Sequence, residues 1–115
     1  MNEARTDQAE TSEAVVAYVT YPDAEEARRA ARSVVEARLA ACVHIRPHES
    51  VYRWQGQVEE AAEFGLLIKT TRRAYPALEA RLRALHSYEL PAIVAWDMSA
   101  GSPAYLEWVS AETQG

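Results

Sequence analysis

Cys42 and His44 are the residues whose types and spacing bear most directly on chemistry. They lie in Leu39–Lys69, where Val43 and Ile45 alternate with them in the period-2 pattern of a two-faced strand. Residues two apart on a strand project from one face, roughly 6 to 7 Å apart along the chain. A thiolate beside an imidazole is a donor pair that copper or zinc accepts. The competing reading makes Cys42, the single cysteine, a small buried hydrophobe of the sheet. Two donors are fewer than a structural site normally has, so symmetry in an oligomer would have to supply more.

Other residues invite chemistry less directly. Lys69 is the only lysine and sits in the middle of an apolar strand. There it either snorkels to the surface or holds an anion or carboxylate, with Glu89 a candidate partner. Tyr52 and Trp54 share a strand face and, with Tyr88, offer aromatic area for a subunit interface or a stacked ligand. His86 falls at the C-terminal end of an expected helix, where the last carbonyls favour a cation. It reads either as a ligand or as a capping and hydrogen-bonding residue. His48, beside Pro47 and Glu49, reads as a solvated loop histidine.

No catalytic constellation is legible. The chain has no P-loop, no Gly-rich phosphate cradle, no Gly-x-Ser-x-Gly elbow and no His-Glu-x-x-His helix. The expectation is a protein that is not an enzyme. Length and composition agree with one modest domain: 115 residues, of which 49% are hydrophobic. A net charge of −5 argues against a nucleic-acid partner, whose footprint is basic. Residues 1–13 carry four carboxylates against one arginine and almost no apolar side chain, the composition of a disordered acidic tail. No apolar run reaches the roughly 18 to 20 residues of a membrane span, and no secretory h-region precedes the domain. With one cysteine and no sign of an oxidising compartment, the expected location is cytoplasmic.

The elements that must position these residues follow from periodicity. Ala14–Thr20 is a short apolar strand, and Asp23 with Glu26 opens a helix as a carboxylate capping box. Ala27, Ala31, Val34, Val35 and Leu39 form its expected apolar stripe. The next two strands make a long antiparallel hairpin, interrupted near Pro47 and turned at Gln55-Gly56-Gln57. A second helix from about Arg73 buries Tyr75, Leu78, Leu82 and Leu85 and stops before Pro91. Ala92–Met98 is a fourth strand, and Ser102-Pro103 starts a short C-terminal helix. The order β-α-β-β-α-β predicts an α+β, ferredoxin-like sandwich over residues 14–115, with both helices on one sheet face. The bare opposite face and the long hairpin edge call for a partner, most simply copies of the same chain.

Six segments, Tyr18–Asp23, Arg38–Val43, Tyr52–Gly56, Leu67–Thr70, Leu85–Pro91 and Tyr105–Trp108, resemble the CutA family of divalent-cation tolerance proteins. The resemblance spans about residues 14 to 111. It implies a tight homotrimer, cytoplasmic in bacteria and linked to copper or other divalent-metal tolerance, with copper or a related ion as the candidate cofactor. It also implies kinship with PII-like signalling trimers, which bind small ligands in clefts between subunits. On that alternative, Tyr52, Trp54, Lys69, Tyr88 and Glu89 line a cleft for a small ligand or protein partner, without a metal role. The ligands assigned in one family member, a first-strand cysteine and two adjacent histidines, fall on Val19, Leu85 and His86. Only His86 carries over, joining Cys42 and His44 as candidate metal ligands, and Ser87 stands where the family usually has proline.

Overall fold

The computed structural model describes residues 13–114, so the expected acidic tail lies, apart from Glu13, outside the described residues. The elements are β1 (Ala14–Tyr21), α1 (Ala24–Glu36), β2 (Cys42–Trp54), β3 (Gln57–Thr71), α2 (Tyr75–Ala84), β4 (Ile93–Asp97) and α3 (Pro103–Glu112). The four strands form one antiparallel sheet in the order β2-β3-β1-β4. The α+β class and the element order match the sequence expectation. Among the described residues no helix is long and apolar enough to cross a membrane.

Register fixes which side chains face the helices. Ala17 pairs with Ile68 and Val19 with Leu66, and on β4 their partners are Ala95 and Ile93. These positions meet Ala27, Ala30, Ala31 and Val34 of α1 and Leu78 and Leu82 of α2 in one core. The opposite face carries Val16, Tyr18, Leu67 and Lys69, with Val94 and Trp96 about half exposed. It is not wholly bare, because α3 packs on β3 and β1 and its Tyr105 reaches Lys69.

Three local expectations change. Strand β2 runs without interruption through Pro47, which pairs with Phe64. As β2 is an edge strand of this sheet, a proline whose nitrogen faces the open side removes no ladder hydrogen bond. Helix α1 buries Glu26, Ala27, Ala30, Ala31 and Val34, whereas Val35 is 38% exposed. Leu39 lies past the end of the helix, although it still packs on the core. Leu85 caps α2 and is exposed rather than buried.

The ends of α1 explain both boundaries. Asp23 accepts a 2.8 Å hydrogen bond from the Glu26 amide, the first half of the capping box. The Glu26 carboxylate turns away, accepting from the Ser87 amide at 2.9 Å and its hydroxyl at 2.8 Å. At the other end Arg38 takes φ 61°, and the Leu39 amide bonds back to the Val34 carbonyl, closing a Schellman turn. The hairpin turns on Gln55 (φ 52°) and Gly56 (φ 80°), the paired positive φ of a two-residue primed turn.

Candidate functional site

The structure brings Cys42 and His44 together on one face of edge strand β2. The Cys42 Sγ lies 3.7 Å from the His44 Nε2, with the cysteine half-buried and the histidine exposed. Lys69 is the cross-strand neighbour of Cys42. Its Nζ sits 3.5 Å from the Tyr105 hydroxyl and 5.4 Å from that ring's centroid. Within one chain, Lys69 therefore meets an aromatic residue of α3 rather than Glu89, which is exposed in the loop after Tyr88. Among the described residues no group of three or more His, Cys, Asp or Glu is arranged to hold a metal ion.

His86 belongs to a different region. Its hydrogen-bond partner Thr20 lies four residues along β1 from Val16, and Val16 is the residue level with Lys69 and Cys42. That spacing is roughly 13 Å of strand. The His86 side chain is fully buried. The Thr20 carbonyl can only accept, so Nε2–H donates to it at 2.6 Å, leaving Nδ1 to accept from the Tyr88 amide at 3.0 Å. Both ring nitrogens are engaged, and the ring is stacked on Tyr21 at 4.3 Å between centroids. A metal would have to displace one of these bonds. Of the other positions aligned with family ligands, Val19 is fully buried in the core and Leu85 is exposed.

Tyr88 joins this knot to a second polar cluster that the sequence reading missed. Its hydroxyl donates to Glu63 at 2.7 Å, and Ser50 donates to the other Glu63 oxygen at 2.7 Å. Glu63 is only 6% exposed. Burial, then the hydrogen bond to Glu63, raises the Tyr88 pKa well above that of a free phenol, and Tyr52 adds to the effect. Tyr18 is raised as well, first by burial and then by Glu63.

His48, expected in a loop, is part of β2 and pairs with Glu63, and its ring meets Tyr18 edge-on, with centroids 6.1 Å apart. Gly65 makes that crossing possible, since an added Cβ would stand 3.2 Å from both the Tyr18 ring and His48 Nε2. The legible signal for this cluster was Glu63 itself, a carboxylate at the mouth of an apolar strand. Farther out on the same hairpin face, Tyr52 and Trp54 stay 43% and 38% exposed.

This arrangement offers two kinds of chemistry: a soft donor pair at the start of β2, and an aromatic, carboxylate-bearing surface along the hairpin. The family model for CutA1 divalent ion tolerance protein matches residues 15–112. A divalent-cation tolerance protein CutA of Thermus thermophilus is 48% identical over 99 residues, covering 85% of this chain and 96% of that one. Its counterpart in Pyrococcus horikoshii is 35% identical, covering 87% and 98%. A solved CutA structure from Xylella fastidiosa superposes with a TM-score of 0.87 at 42% identity, covering 90% of this chain and all of that one.

Proposed function

The chain belongs to the CutA1 divalent ion tolerance protein family, and on that premise we propose that it serves divalent-metal tolerance through a weak, exchangeable copper or zinc site at Cys42 and His44. The observation that carries this reading is the 3.7 Å separation of Sγ and Nε2. One tetrahedral ion with ordinary metal–sulfur and metal–imidazole bonds spans a sulfur and a nitrogen about 3.6 Å apart. The pair thus fits the ion without rearrangement. Two donors from one chain make a low-affinity site, with water or the same pair on other copies completing the shell. When bound, the ion would sit as cargo on an edge strand, where His44 is open to solvent. A cytoplasmic setting suits this role, because a reducing thiol pool keeps Cys42 able to ligate.

A homotrimer of ferredoxin-like protomers is the assembly we propose, supported by the strand order and by the half-exposed Val94 and Trp96 on the sheet face away from α1 and α2. A second reading, favoured by the exposed Tyr52 and Trp54 beside the Tyr88–Glu63 pair, is a PII-like trimer. It would take a small ligand or partner protein at an inter-subunit cleft and have no metal role.

Calorimetric titration with copper and with zinc, anaerobic and under a non-chelating reductant, separates the two. Saturable binding weakened at least about tenfold in Cys42→Ser and His44→Ala, and unchanged in His86→Ala, is expected. Affinity unchanged in Cys42→Ser would withdraw the metal site and leave the cleft reading.

A further inference from the structure

A groove of about 470 Å³ runs between α1 and α2 on the outer, helical side of the molecule. Its walls are Arg29, Arg32, Ser33, Glu36 and Ala37 of α1 and its C-cap, faced by Arg81 of α2. The first four stand at i, i+3, i+4 and i+7, so they line one flank of the helix beside its buried stripe. Three guanidinium groups therefore converge from two helices on one concavity, in a chain whose net charge is −5.

Arg29 and Arg32 are exposed and paired only loosely along α1, and Arg81 is the arginine that sets this cluster apart from a solvated charge run. Arg29 is 3.8 Å from Glu25, and Arg32 is 3.6 Å from Glu36. Both distances exceed the roughly 2.7 to 2.9 Å of a charge-assisted hydrogen bond, so the pairs are loose and leave most N–H donors unused. Arg81 makes no ion pair among the described residues. Instead it donates to the Ser33 hydroxyl at 2.9 Å, which aims its planar fork across the groove.

From this geometry we propose that the α1–α2 groove is a binding site for a small anion bearing at least two phosphoryl groups. Guanidinium forks match phosphate oxygens bidentately, where an ammonium acts only as a point charge. The depression is shallow and open to solvent, which suits a compact, highly charged anion held by its oxygens rather than a buried apolar ligand. Glu25 and Glu36 beside Arg29 and Arg32 temper the positive field, and because the attraction is between exposed charges, binding will weaken as ionic strength rises. The site is independent of Cys42 and His44 and stands whether or not metal binds there.

The test uses the metal-free full chain and inorganic tripolyphosphate at low ionic strength, followed by calorimetry, with circular dichroism to confirm that each variant is folded. Saturable binding of one anion per chain is expected. Both Arg81→Ala and Arg81→Lys should weaken it about tenfold, because the fork and not the charge alone is required. Arg73→Ala, exposed and outside the groove, should bind as wild type. A parallel flotation assay with vesicles containing phosphatidylinositol 4,5-bisphosphate, whose headgroup carries more than one phosphoryl group, distinguishes a membrane headgroup from a soluble ligand. Capture by vesicles, lost in the same variants, would place the phosphates on lipid, whereas tripolyphosphate binding alone would make the ligand soluble. No saturation in the millimolar range on either arm, or Arg81→Lys binding as wild type, would overturn the site.

Discussion

At the scale of single residues, Tyr21 has the most to say about stability. It is fully buried, stacks on His86, and its hydroxyl has no hydrogen-bond partner among the described residues. A buried hydroxyl without a partner costs about 1 kcal/mol or more relative to an apolar replacement. Tyr21→Phe keeps the stack and is expected to raise the unfolding free energy by about 1 kcal/mol in urea melts. The same residue predicts a pH dependence. Burial, then the charge of Glu26, raises the Tyr21 pKa well above its ordinary 10.0. The folded state therefore keeps its proton while the unfolded state releases it, and stability falls as pH rises above about 10. The slope from this residue is up to about 1.4 kcal/mol per pH unit, and Tyr21→Phe should flatten the alkaline loss by that amount. Legibility at this scale was uneven. The Cys42–His44 pair followed from strand period alone. His48 was misplaced because its neighbour Pro47 looked like a break, and the bonds of His86 and Glu26 depend on chain crossings that no local pattern encodes.

Among the elements, strands and helices were legible nearly in full because each carries its own periodicity and punctuation. The misreadings sit at edges and ends. Whether β2 tolerates Pro47 depends on its being an edge strand, a tertiary fact. Leu39 fell out of the α1 stripe because the helix stops at Glu36 and Arg38 turns the chain, while Val35 lies within the helix on its exposed side. Glycine is the usual residue at that left-handed position, and arginine pays about 1 kcal/mol for it. The side chain shows why arginine stands there. Its Nε donates to the Glu112 carbonyl at 3.2 Å, and a terminal nitrogen donates to the Ala111 carbonyl at 2.8 Å. The Gln114 amide in turn donates to the Arg38 carbonyl at 2.7 Å. Arg38 thus caps α1 and ties down the far end of α3. Arg38→Ala keeps the strained backbone and loses the side-chain tie, whereas Arg38→Gly loses the tie and relieves the strain. Arg38→Gly should therefore be about 1 kcal/mol more stable than Arg38→Ala, while amide exchange in residues 103–112 quickens in both. Equal exchange in wild type and variants would show that α3 is held by its buried Val109 instead.

The whole molecule is longer than its size requires. Its radius of gyration is 15.5 Å and its extents are 53 × 27 × 21 Å. A compact chain of this length has a radius near 13 Å. The excess is the outer half of the β2–β3 hairpin, beyond the last β1–β3 pair at Tyr21 and Phe64, which leaves Val51 and Val58 69% and 62% exposed. So much exposed apolar surface predicts self-association, and sedimentation at micromolar concentration is expected to show a trimer. Trp96→Glu, on the open sheet face, should shift that species toward monomer. A wild-type chain that sediments as a stable monomer would refute the assembly. The strand order carries a further consequence, for how the protein is made. Strand β1 is paired on both sides, yet its neighbours β3 and β4 are translated after it. At ordinary rates of synthesis the ribosome delivers β4 roughly 4 to 15 seconds after β1. The β2–β3 hairpin, made of contacts close in sequence, can form during that wait. Among the described strands, β1 spends the interval with at least one open edge, which makes it the strand most in need of a chaperone.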